Sequence, residues 1–117
     1  MIRNAEGSVG ADAPLDRYKV RLLIVRSQKV VGISEGDRVA LLRKAYEVAM
    51  ANTTKHKWDK YSYYTLCDVA VLLIQKGESQ YILQEALAHS RKAADKILDP
   101  EMGSRLREFE FNPKIGR

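Results

Sequence analysis

Two histidines, one cysteine and 15 carboxylates are the raw material for catalysis in this 117-residue chain, and their spacing assembles none of the usual machinery. Enzymatic chemistry needs a nucleophile, a base and a group that orients them, or a cluster of metal ligands. His56 stands among Lys55, Lys57 and Trp58 and reads as a solvent-exposed loop residue. His89 follows Glu85 by four residues, one helical turn, so the two read as an ordinary surface pair. As metal ligands they would number only two, short of the four that a tetrahedral ion takes. Cys67 lies beside Leu66 and Val69 in the most apolar stretch, where burial raises a thiol pKa and blocks access; it reads as inert core. The acid pairs Asp95/Asp99 and Glu108/Glu110 fall on polar helix faces, and Gly32 and Gly36 match neither a Walker-type loop nor a dinucleotide fingerprint. No catalytic residue, metal ligand or cofactor is assigned, and the expectation is a protein that is not an enzyme.

One constellation stands above this background. Between Lys55 and Tyr64, seven of ten residues are basic or aromatic: Lys55, Lys57, Trp58, Lys60, Tyr61, Tyr63 and Tyr64. Lysines contact phosphates or carboxylates, while Trp and Tyr add contact area, stacking and cation–π attraction, the mixture found at binding hot spots. Core packing competes for the same rings, since Tyr61 and Tyr64 are three apart and could pack beside Cys67 and Val71. Arg17 and Arg21, four apart, form a second basic strip, with Arg26 and Lys29 further along. If that strip packs near residues 55–60, one continuous basic patch results. The candidate partner-binding residues are therefore Lys55, Lys57, Trp58, Lys60, Tyr61, Tyr63, Arg17 and Arg21.

Charge placement supports a basic face. The net charge is +5, and residues 17–60 hold eleven Lys/Arg against four acids, a local excess of seven. Residues 61–117 hold eight of each, and residues 1–16 one Arg against three acids. An acidic protein or protein–nucleic-acid complex is the expected partner, with direct nucleic-acid binding as the alternative. A homo-oligomer that buries Trp58 and Tyr63 between copies is a third reading. A DNA-reading pair of helices around Gly77 is weaker, because Leu73 is bulky where helices would cross closely and residues 79–85 carry no basic cluster.

The elements that must hold these residues are helical. Pro14 opens a segment in which the apolar residues Leu15, Tyr18, Leu22 and Val25 recur at helical spacing, with Asp16 in the first turn and Gly32 at the end. Its β-branched residues leave a strand within residues 20–31 as an alternative. Ser34 and Asp37 form a box-like cap for a helix over 35–52, which Asn52, Thr53 and Thr54 are expected to break. A third helix over 59–76, capped by Asp59 and ended by Gly77, is apolar nearly all round and is expected to be central. Ser79 caps a fourth, with Leu83, Ala86 or Leu87, Ser90, Ala94 and Ile97 inside, stopped near Leu98 by Pro100. A short helix over 101–109 completes an all-α fold: a small antiparallel bundle of four main helices plus a short C-terminal one. Residues 1–13 and 112–117 read as tails around a single domain over 14–111.

An apolar content of 45% and a charged content of 30% match a globular chain of one core. With one cysteine no internal disulfide can form, and neither residues 1–14 nor the apolar run from Val69 to Ile74 suits a signal core or a membrane span. The expected location is the cytoplasm, without membrane contact.

Overall fold

Pro14 needs no N–H partner in a first helical turn, and there it lies: helix α1 spans Ala13–Lys29 in the computed structural model, which describes residues 12–110. The chain continues through α2 (Glu35–Lys55), α3 (Lys60–Gln75), α4 (Tyr81–Ile97) and α5 (Pro100–Glu110). The fold is an all-α bundle. No strand occurs among the described residues, so residues 20–29 adopt the helix and not the extended alternative. Of the expected tails, residues 1–11 and 112–117 lie outside the described residues, while Ala13 is already the first, buried residue of α1.

Several termini follow local chemistry. Ser34 Oγ accepts the Asp37 N–H at 3.0 Å and starts α2. Gly32 and Gly77 follow α1 and α3 with φ of +92° and +98°, a region open to glycine without steric cost. Ser79 Oγ accepts the Tyr81 N–H at 3.1 Å, two residues beyond the expected start of α4. Asp59 precedes α3 as expected, but its carboxylate accepts from Ser62 Oγ at 2.7 Å and Arg17 Nε at 2.9 Å instead of capping the backbone.

Two expectations are overturned. α2 does not break at Asn52 but runs on to Lys55, because tertiary contacts absorb the polar side chains that would otherwise compete with the helix. Asn52 Nδ2 donates to the Asp16 carbonyl at 3.1 Å, and Thr53 Oγ1 meets His89 Nε2 at 2.8 Å. The face that α1 turns inward is also not the one its apolar spacing suggests: Leu15, Tyr18, Leu22 and Val25 are exposed, while Ala13, Asp16, Val20 and Ser27 are buried. The stretch from Leu22 to Val25 is apolar throughout, so helical spacing selects no unique face there. The face that wins is the one that carries Val20 into the core and lets Asp16 meet His56 and Lys55 at the end of α2, while the Ser27 hydroxyl is satisfied by the Ile24 carbonyl of its own helix.

α3 is the hub. Ten of its residues are buried, Leu66, Cys67, Val69 and Ala70 completely, and it packs against every other helix. α1 also packs on α2, and α5 on α4. The result is elongated and thin, 49 × 29 × 17 Å. α2 is linked through side chains to α4, Tyr46 to Glu85 at 3.0 Å and Thr53 to His89 at 2.8 Å, and to the α3–α4 connection, Arg43 to Glu78 at 2.7 Å. No helix of the described residues is long and apolar enough to cross a membrane.

Candidate functional site

The N-terminal end of α3 and the loop before it do come together with α1, as the basic-patch reading required, but the contact neutralises the charges. Lys55 Nζ lies 3.1 Å from Asp16 Oδ2, Arg17 Nε 2.9 Å from Asp59, and Lys60 Nζ 2.6 Å from both Asp99 and Glu101. These hydrogen bonds hold the Lys60 ammonium well above its ordinary pKa, Asp99 first and Glu101 second. Three of the expected docking cations are thus committed internally, and the continuous basic patch does not form. The acids that engage them lie about 40 residues away in sequence, so no local reading could pair them.

His56 needs a second correction. It is buried, not solvent-exposed, and its Nε2 lies 2.7 Å from Asp16 Oδ2. An ionised carboxylate only accepts, so His56 carries the proton on Nε2. Together with Lys55, this hydrogen bond holds the Asp16 carboxyl down at about 2.

The aromatic residues divide. Tyr63 is 4% exposed, and its hydroxyl is shared between the carbonyls of Lys57 at 3.0 Å and Thr53 at 3.3 Å. Alternating use of helix faces explains why it points inward: α3 is enclosed on both sides, so only Tyr61 of the three tyrosines remains exposed. Tyr61 meets Tyr64 edge to face at 5.8 Å and lies under Arg17 and Lys60, each within 5.3 Å of its centroid. Trp58 is partly buried, and its indole N–H meets no protein acceptor.

Two clefts flank this end of α3. One, of about 290 Å³, lies between α1, α3 and α5 and contains Arg17, Arg21, Tyr61, Tyr64 and Arg105. Asp68 and Glu101 line it too, so its positive charge is largely offset. The other, of about 390 Å³, is bordered by Lys57, Trp58 and Tyr63 from the α2–α3 region and by His89, Lys92, Ala93 and Lys96 from α4. It has no acidic lining residue. Lys57, Lys92 and Lys96 have no carboxylate within ion-pair distance among the described residues, and Lys57 Nζ lies 6.0 Å from the Trp58 ring centre. Lys92 and Lys96 were missed in sequence because residues 61–117 are neutral as a block. Their spacing of four on α4 was the available signal.

The remaining candidates are structural. His89 does not pair with Glu85: Glu85 accepts from the Tyr46 hydroxyl, while His89 Nε2 contacts Thr53 Oγ1. Thr53 already donates to Met50, so the imidazole donates here. Cys67 is fully buried, and burial pushes its thiol up to about 12. Among the described residues no three His, Cys, Asp or Glu side chains gather as a metal site. No protein-family model, curated protein or solved structure matches the chain.

Proposed function

We propose that this protein is a non-enzymatic helical binding module that docks an acidic protein partner at the Trp58 cleft. The observation that carries this reading is the concentration of uncompensated charge: Lys57, Lys92 and Lys96 border a cavity without a carboxylate, whereas Arg17, Lys55 and Lys60 are paired within the bundle. Trp58 supplies the anchor. A partly exposed indole beside cations offers apolar contact area, and tryptophan is enriched among residues that dominate interface energies. Carboxylates of the partner would meet the lysines at the rim, where they steer association more than they add affinity.

Trp58 is the only tryptophan, so its fluorescence reports on this cleft directly. Titration with a Glu-rich peptide should shift its emission, and Lys57→Glu with Lys92→Glu and Lys96→Glu should remove the response. Unchanged emission at saturating peptide rejects the proposal. A DNA duplex serves as the competing probe. If three lysines each neutralise a phosphate, its affinity should fall with a logarithmic slope of about −2.7, roughly 40-fold between 50 and 200 mM salt. Tighter binding of the duplex than of the peptide, with that slope, assigns nucleic acid as the partner instead.

A further inference from the structure

Helix α1 turns a complete apolar stripe away from the bundle. Leu15, Tyr18, Leu22 and Val25 are 43–57% exposed, although each is a residue that a small bundle would normally bury. Their spacing of three, four and three is that of a two-stranded helical seam, in which apolar residues alternate at those intervals to meet a second helix. With about 100° of rotation per residue, the stripe lies opposite Val20 and Ser27, which face the bundle. Val20 is fully buried, so α1 is already anchored through its other side, and the stripe stays about half open to solvent.

Charge decides what could cover it. Lys19 and Arg26 border the stripe on one flank and Arg21 on the other, while Lys29 continues its line. The only acid within α1, Asp16, is on the buried side. Arg21, Arg26 and Lys29 have no ion-pair partner among the described residues. A second copy of the chain is therefore a poor match: a parallel pairing sets Arg21 against Arg26 of the other copy, and an antiparallel one sets Lys19 against Arg26. Flanking charges of one sign select a helix with the opposite sign.

We infer that the outer face of α1 docks an amphipathic helix of a partner protein, one whose apolar seam is bordered by Glu or Asp. The α1 residues involved take no part in the Trp58 cleft, so the inference stands apart from the proposed role of that cleft. Recognition would combine four apolar anchors along α1 with acid–base pairs on both flanks.

Two labelled synthetic helices of roughly 20 residues, with Leu in the seam and either Glu or Lys on the flanks, test this with the full chain by fluorescence anisotropy. The Glu-flanked peptide should bind at least about tenfold more tightly than the Lys-flanked one. Leu22→Gln with Val25→Gln should weaken it at least about tenfold while helicity and Tm stay unchanged, since both residues are exposed. Arg21→Glu with Arg26→Glu should reverse the preference, and Trp58→Ala should leave it intact. Equal binding of both peptides, absence of binding, or indifference to Leu22→Gln/Val25→Gln overturns the inference. So does a dimer in sedimentation that the same double substitution dissociates, because the stripe would then belong to a second copy.

Discussion

Asp16 and His56 meet at 2.7 Å across forty positions of chain, and their contact ties the first turn of α1 to the end of α2. Lys55 and Lys19 approach the same carboxylate at 3.1 and 3.6 Å. A buried imidazole that loses its acceptor is left with an unsatisfied donor, which makes this pair a sensitive point of the fold.

Acid should loosen that joint in a defined window. The Asp16 carboxyl has a folded-state pKa depressed to about 2, against about 3.9 for an unfolded aspartate. Its contribution is therefore fully present above about pH 4 and is lost as pH falls towards 2, because the unfolded chain binds the proton first. Urea midpoints measured from pH 5 to pH 2 should fall less steeply for Asp16→Asn than for the natural chain. Equal slopes would show that other carboxylates govern acid unfolding. His56→Ala should lower stability by about 1–3 kcal/mol at neutral pH, read from the same urea curves.

Adjacent tyrosines should respond in opposite directions to loss of a hydroxyl. Tyr63 donates to backbone carbonyls, so Tyr63→Phe leaves buried acceptors short and should cost about 1 kcal/mol. The buried Tyr64 hydroxyl meets no protein partner, so Tyr64→Phe should leave stability unchanged or raise it by up to about 1 kcal/mol. Thermal unfolding of the two variants decides; losses of similar size in both would contradict the assigned partners.

Leu98 ends α4 with φ +59°, a left-handed conformation that costs a side-chain-bearing residue roughly 1–2 kcal/mol. It is also 80% exposed, so little packing opposes replacement. Leu98→Gly should raise stability by up to about 1 kcal/mol, because glycine takes this cap position without steric strain. A lower Tm would mean that the exposed leucyl side chain supports the α4–α5 junction.

The number, order and approximate limits of the five helices were legible in the chain, as were the Ser34 cap, the central place of α3 and the burial of Cys67. These are local properties. Cap chemistry and the nearly all-round apolarity of Leu66 to Ile74, broken only by Asp68, act within a few residues of where they are written, and packing only reinforces them. The side of α1 that faces inward belongs to a different class. Apolar residues on both sides of that helix make its orientation degenerate, and Asp16 breaks the tie only once α2 is in place, where its carboxylate meets His56 and Lys55. Charge availability is settled in the same way. Lys55, Lys60 and Arg17 resemble Lys57, Lys92 and Lys96 in composition and differ only in whether a carboxylate from a distant helix lies within reach, and Coulomb attraction at 3 Å depends on that assembled geometry and not on proximity along the backbone.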